Sequence, residues 1–213
     1  MSDIAGIVLA AGKASRFRAA AGDAGPITKL VARYEGKALV RHVVDAASAA
    51  DLSPLIVVTG HADSAVLREL EGLSFEAVHN PLYETGMASS LRAGLARCPS
   101  SAAGVVVLLG DMPLVGPALI DILTAAFRAR PEALAVVPTY AGERGNPVLI
   151  SAQLFSALAQ LEGDAGARQV LRGLEAHVLE VAVTDAASRL DIDTPEALRA
   201  LSQPFASDTP EKP

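Results

Sequence analysis

Short apolar runs alternate with segments of helical period along nearly the whole chain, and that alternation limits the fold more than any other feature. The runs are Ile4–Ala10, Leu55–Thr59, Phe75–Val78, Val105–Leu109 and Leu134–Val137, with two further runs at Val148–Ile150 and Val178–Val183. Between and after them, Val40–Ala50, Ser64–Glu71, Ala88–Arg97, Pro117–Arg130, Ala152–Gln160, Ala165–Arg172 and Pro195–Leu201 read as helices. A strand that is apolar on both faces must be covered on both faces, and strands joined through helices pair in parallel. The pattern therefore predicts an α/β fold, a Rossmann-like three-layer sandwich with a mainly parallel central sheet. No internal repeat and no linker interrupts it, so a single domain is expected over residues 1–202, with a polar, Pro-containing, disordered tail over 203–213.

The side chains available for the interior are small. Hydrophobic residues make up 51% of the 213 positions but aromatic residues only 4%, so Ala, Val and Leu must pack helices closely on the sheet. The net charge of −6 excludes a general nucleic-acid binder, which needs a basic face. The lone cysteine, Cys98, excludes an internal disulfide and any multi-cysteine metal site, and is read as inert. No run approaches the roughly 20 apolar residues that span a bilayer, and the first residues lack a basic-then-apolar leader. A cytoplasmic protein without membrane attachment is expected.

Open α/β sheets place their sites beyond the carboxyl ends of the strands, where this chain keeps its most unusual residues. After the first strand comes Leu9-Ala10-Ala11-Gly12-Lys13-Ala14-Ser15-Arg16. Its small residues let backbone amides approach a phosphate, and Arg16 adds a planar, permanently charged donor. Lys29 lies beyond a Gly- and Ala-rich loop, Ala19–Gly25, and is a candidate second cation. An ordinary strand–helix turn with solvated Arg and Lys is the equal alternative. The loop is neither GxGxxG nor GxxxxGK[ST], which disfavours a dinucleotide fold and a P-loop.

Asp111 follows the fully apolar strand Val105–Leu109 through Gly110, and Pro113 stops that strand from continuing. A carboxylate there suits a divalent cation better than it suits capping the helix at Pro117, which lies too far downstream. A second acidic pair, Asp191 and Asp193, falls on one side of an extended segment by alternation. For that pair taken by itself, capping of the Pro195 helix by Thr194 or Asp193 is the favoured role. Mg²⁺ needs few protein carboxylates, so one Asp from each segment suffices.

Taken in order, LAAGxxSR at Leu9–Arg16, the downstream Lys29, LLGDMP at Leu108–Pro113, RGNP at Arg144–Pro147 and DIDTP at Asp191–Pro195 resemble the MobA-like nucleotidyltransferases. Within that family the likeness is greatest to the molybdenum cofactor cytidylyltransferase branch, and it runs from about Ile4 to Leu201. The resemblance implies a nucleotide-diphospho-sugar-transferase-like fold. It also implies a nucleotide site at Leu9, Ala10, Ala11, Gly12, Ser15, Arg16, Lys29, Asn80, Gly86 and Ser89. Asp111 and Asp193 match the metal positions, with Mg²⁺ as the cofactor and Arg16, Lys29 and Asp111 as the catalytic set. Arg144, Asn146, Asp164 and Arg168 match acceptor-side elements. The loop before Lys29 is longer than in the family, which leaves Arg18 as an alternative cation.

The implied reaction transfers CMP from CTP to the phosphate of a molybdopterin-type cofactor and releases pyrophosphate. A molybdoenzyme or its chaperone would receive the product. Ala11 leans the choice towards CTP, because the guanylyltransferase branch carries LAGG at that loop. GTP or another nucleotide with a different phosphorylated acceptor is the first alternative, and a non-catalytic nucleotide- or cofactor-binding module is the second. Elsewhere, His61 reads as a solvent-bonded loop residue, His42 as surface, and Met87 and Met112 as core. Asp164 is equally suited to capping the helix Ala165–Arg172. Ser89 and Ser90 lack a nucleophile-elbow motif, which argues against a hydrolytic triad.

Overall fold

A computed structural model describes residues 3–21, 25–184 and 186–201. Ten strands and seven α-helices are connected by short 3-10 turns among these residues. The strands are β1 (Ile4–Ala10), β2 (Arg33–Tyr34), β3 (Lys37–Ala38), β4 (Leu55–Thr59), β5 (Glu76–His79), β6 (Gly104–Leu109), β7 (Ala135–Tyr140), β8 (Glu143–Arg144), β9 (Val148–Ser151) and β10 (Val178–Ala182). The helices are α1 (Ser15–Ala21), α2 (Leu39–Ala49), α3 (Asp63–Glu69), α4 (Met87–Leu95), α5 (Pro117–Ala129), α6 (Phe155–Ala159) and α7 (Pro195–Leu201). The expected tail at 203–213 lies outside the described residues.

Eight strands form one sheet in the order β10-β7-β9-β6-β1-β4-β5, with β8 paired to β7, and β2-β3 form a separate ribbon. β1 runs parallel to both β4 and β6, β5 to β4, and β10 to β7. β9 is inserted antiparallel between β6 and β7. The sheet is thus mostly parallel, and the carboxyl ends of β1, β4, β5 and β6 share one edge.

Alternation within the apolar strands divides the core into two layers, because successive side chains face opposite ways. On one face Val8, Val57 and Val106 meet α2, α3 and α5 through Val43, Val66 and Ile120. On the other, Ile7, Val58 and Val107 meet α4 and α6 through Leu91 and Leu158. The largest of these side chains are fully buried, which makes hydrophobic burial the main stabilising term. A third cluster of Phe17, Ala32, Leu39 and Ile192, with Ala197 and Leu198 of α7 against it, docks α7 beside α1.

Two expectations are corrected. The segment Ala165–Arg172 is not an α-helix but a 3-10 turn over Ala167–Leu171. Gly163 and Gly173, both at positive φ, bracket it, and so short a stretch does not repay helix nucleation. Ala152–Gln160 likewise opens as a 3-10 turn, with Ser151 Oγ accepting from Gln153 N–H, before α6 begins.

Gly86 sits at φ 111° and ψ 173°, a conformation open essentially only to glycine. A Cβ there would lie 2.2 Å from the Gly163 carbonyl group, so the start of α4 meets the 163 turn backbone to backbone. Gly86→Ala is expected to lower stability by more than about 2 kcal/mol, from strain and overpacking together. Gly12→Ala, whose Cβ would meet nothing within 4 Å, is expected to change it by less than about 0.5 kcal/mol. Urea unfolding of the two variants measures both, and equal losses would contradict the packing described.

Candidate active site

The loop after β1 is stitched into the sheet edge on both sides. Gly110 N–H donates to Leu9 O at 3.0 Å, and His61 N–H donates to Ala11 O at 3.0 Å. Ala14 adopts a left-handed φ of 52°, and Arg18 N–H donates back to its carbonyl as α1 starts. Lys29 opens a 3-10 turn held by buried Thr28, whose hydroxyl accepts from Leu30 N–H. That anchor fixes the backbone at Lys29, while the head of its side chain reaches the exit of β6.

Lys29 Nζ lies 2.6 Å from Asp111 Oδ2 and 2.6 Å from Asp193 Oδ1. On the outer side, Arg16 Nη1 reaches Asp193 Oδ2 at 2.6 Å. The segment bearing Asp193 is fixed by Ile192, whose N–H donates to Asp111 O at 3.0 Å and whose side chain is buried. Thr194, not Asp193, caps α7, its hydroxyl accepting from Ala197 N–H at 3.1 Å. Asp193 is therefore left for the cations.

Asp191 joins the same cluster. Carboxylate oxygens of Asp111, Asp191 and Asp193 all lie within 4.8 Å of one another. Asp111 Oδ1 is buried without a hydrogen-bond partner among the described residues, an unfavourable state for a carboxylate oxygen unless a cation or donor meets it. Three oxygen donors and an orphaned buried oxygen fit a hard divalent cation. The hydrogen bond from Lys29, with the charges of Lys29 and Arg16, holds Asp193 below the usual carboxylate range in spite of some burial. For Lys29, burial depresses the pKa, but Asp111 and Asp193 outweigh it and leave the ammonium above its ordinary value.

A cavity of about 420 Å³ opens over this cluster. Leu9, Ala11, Gly12, Arg16, Lys29, Gly86, Asp111, Asp164 and Asp193 all contribute to its wall, as do Asp191, Tyr83 and Ser90. Lys13 and Glu84 pair at 2.6 Å, joining the first loop to the turn after β5, and both line the same cavity. A second cavity of about 360 Å³ is lined by Asn146, Asp164 and Arg168, with Gln169, Arg172 and the apolar Val107 and Val148. The two share Met87, Leu109 and Asp164. Burial first, then the neighbouring Arg189 and Arg144, lowers the pKa of Arg168, although a guanidinium stays charged.

Other expected site residues lie further back. Ala10 is buried within β1, and Ser15 borders a neighbouring hollow with Lys13 and Arg18. Asn80 and Ser89 are buried behind the first cavity rather than in its lining. Asn80 Nδ2 donates to Ser89 Oγ at 2.8 Å and Ser90 Oγ at 3.0 Å, and Ser89 Oγ donates to the Leu82 and Gly86 carbonyls. This network supports the Gly86 turn, and Ser90 is the member that reaches the cavity. Arg144 is outside both linings and pairs with Glu180 at 2.8 Å.

Four smaller readings change. Met112 is core, but Met87 is 40% exposed at the junction of the cavities. His61 is only partly exposed, and its Nε2 is buried without a partner among the described residues. His42 is only partly exposed, with Nε2 2.8 Å from Tyr34 O. Asp164 caps nothing, since Gly166 starts the turn without a side-chain cap. Cys98 is half-buried, and burial pushes its thiol up to about 11, consistent with an inert residue.

A small-residue loop and a cluster of three aspartates on the carboxyl edge of such a sheet fit a nucleotidyltransferase of the nucleotide-diphospho-sugar transferase fold. The family model of the MobA-like NTP transferase domain matches residues 6–180, and the chain belongs to that family. Among solved structures, Rv0371c of Mycobacterium tuberculosis H37Rv is 32% identical, with a TM-score of 0.80 over 94% of this chain and 98% of that one. A nucleotidyl transferase from Methanothermobacter thermautotroptrophicus shares the fold at a TM-score of 0.81 and 20% identity, covering 95% of this chain and 97% of that one. Purine catabolism protein PucB of Bacillus subtilis is 34% identical over 53% of this chain and 54% of its own length. Bifunctional GlmU of Symbiobacterium thermophilum is 31% identical over 69% of this chain, which spans only 29% of that protein. No helix among the described residues is long and apolar enough to cross a membrane.

The charge cluster has a defined pH window. The lowered Asp193 contributes stability that is whole above its ordinary 3.8 and is lost as pH falls through the depressed value. The raised Lys29 contributes stability that is whole below its ordinary 10.5 and is lost as pH rises through the elevated one. Lys29→Met is therefore expected to be less stable than the parent at neutral pH, with the gap closing in acid. Urea midpoints measured across pH test this, and a gap independent of pH would contradict it.

Proposed function

We propose that the chain is a single-domain, Mg²⁺-dependent cytidylyltransferase of the cytoplasm, moving CMP from CTP to the phosphate of a molybdopterin-type cofactor. The observation that carries this reading is the pair of contiguous cavities meeting at Met87, Leu109 and Asp164, with the aspartate cluster in the wall of the first. A donor and an acceptor must meet beside one cation seat, and a pure nucleotide-binding module has no use for the second cavity.

In this reading the first cavity takes the nucleotide and the second the acceptor. Ala11, Gly12, Ser15 and the intervening amides hold the triphosphate, and Ala10 and Leu9 set the height of the loop. Arg16 and Lys29 neutralise the β- and γ-phosphates as pyrophosphate leaves. Asn80 and Ser89 act through the Gly86 turn, bracing the wall on which Ser90 faces the nucleotide. Arg168 and Asn146 receive the anionic acceptor, with Asp164 between the two substrates, and Arg144 adds positive charge behind them.

An acceptor phosphate monoester is already ionised near neutral pH, its second pKa being about 6, so no general base is required. Its oxygen attacks the α-phosphorus, the bond from that phosphorus to the bridging oxygen breaks, and the electron pair leaves with pyrophosphate. Asp111 and Asp193 would hold the magnesium, which when bound neutralises phosphate charge and stabilises the developing charge on the leaving group. A manganese complex of the 31%-identical Rv0371c supports a divalent cation in this family. Ala11 supports CTP over GTP by its likeness to the cytidylyltransferase branch. Product would pass to a molybdoenzyme or its chaperone.

Pyrophosphate release should be greatest with CTP among CTP, GTP, ATP and UTP when molybdopterin-type cofactor and Mg²⁺ are present, and the acceptor should gain the mass of one cytidylyl group, CMP less a water. Asp111→Asn should lower turnover by at least about a hundredfold, as loss of one electrostatic group at a reacting centre does, while unfolding cooperatively. Preference for GTP would overturn the base assignment. Full activity in the Asp111 variant would remove that residue from the mechanism.

A further inference from the structure

Lys29 and a divalent cation have the same two oxygens to bind. The ammonium touches Asp111 Oδ2 and Asp193 Oδ1 at 2.6 Å each. A magnesium ion on those atoms needs approaches of about 2.0–2.1 Å. Held on one pair of oxygens, the two cations would be neighbours within a few ångströms, in a place where only 13% of the Lys29 side chain is exposed to solvent. At the buried Lys29 head their repulsion is screened less than it would be at an open surface.

The four-carbon stem of Lys29 makes a second position available. Its backbone is pinned by the Thr28-anchored turn, so only the side chain needs to move. The cavity wall that holds Lys29 also holds Ala11, Gly12 and Arg16, the loop placed against the triphosphate. An ammonium is a compact point charge on a flexible chain, unlike the rigid guanidinium fork. Lysine suits a group that must change partners.

We infer that Lys29 is an exchangeable counter-cation: it closes the aspartate seat when no nucleotide is bound, and it transfers to the polyphosphate as a divalent cation takes the seat. This rests on the metal and nucleotide sites proposed above. Two consequences follow from the shared oxygens. Cation binding alone is weakened by the work of displacing Lys29. Nucleotide, by giving Lys29 a new anionic partner, lifts that penalty, so cation and nucleotide bind cooperatively, and each strengthens the other by the same factor. Uncomplexed cation is thereby kept from holding the site in the absence of substrate.

The test measures Mn²⁺ binding by the electron paramagnetic resonance signal of the free ion, with and without a non-hydrolysable CTP analogue. The proteins are the full-length parent, Lys29→Gln and Arg16→Gln, each first shown to unfold cooperatively. In the parent, the analogue is expected to tighten Mn²⁺ binding by about tenfold or more, within the usual range of coupling between sites. Lys29→Gln is expected to bind Mn²⁺ at least about tenfold more tightly than the parent without nucleotide, and to lose most of the coupling. Arg16→Gln removes a positive charge from the same Asp193 but leaves the shared oxygens occupied, so it should keep the coupling. Mn²⁺ binding unchanged or weakened in Lys29→Gln would overturn the inference, as would equal gains in both variants, which signify a general charge effect. Failure of the parent to bind Mn²⁺ even with nucleotide would instead overturn the metal site itself.

Discussion

The N–H of Ile192 donates to the carbonyl of Asp111, and the site depends on that joint. It fastens a late segment to the exit of β6, and the burial of Ile192 with Phe17 and Leu39 holds it there. Asp191 and Asp193 flank the fastened residue and are delivered together beside Asp111. Without this docking the carboxylates would be separated by eighty residues of chain. Apolar packing between charged neighbours thus supplies the geometry of the charged centre.

The docking also accounts for how an acidic protein can bind a polyanion. Its net charge of −6 would repel nucleotide if spread evenly. Instead, Lys29 and Arg16 sit directly on the aspartates that face the cavity. Arg144 and Arg189 lie close enough to act on Arg168, which lines the second cavity. Local balance, not overall charge, governs the cavity surface. The same balance leaves Asp111 Oδ1 without a partner, marking where the arrangement is incomplete.

Much of this was legible in the sequence because the governing signals are local. Apolar runs bounded by turns identify β1, β4 and β6 almost to the residue, since a strand buried on both faces tolerates little polarity. Asp111 and the Asp191–Asp193 pair stood out because they follow strand or extended segments directly. Signals requiring direction or distance were harder to read. Asn80 and Ser89 are polar residues near the site, but only the structure shows them turned into a buried network of which Ser90 alone borders the cavity. Met87 looks like core by composition, yet the unusual backbone at Gly86 places it at the cavity junction. The Lys13–Glu84 pair joins loops seventy residues apart, and no local pattern announces it. Ala165–Arg172 has helical spacing, but flanking glycines and short length favour a 3-10 turn.

In the proposed reaction, Asp111 and Asp193 converge on one cation position facing the loop after β1. Anomalous scattering from manganese, in a crystal grown with Mn²⁺ and a non-hydrolysable CTP analogue, locates that position directly. The account predicts a single strong peak bonded to oxygens of both aspartates and to the nucleotide phosphates. A peak bound elsewhere, or phosphates lying away from Gly12 and Arg16, would contradict it.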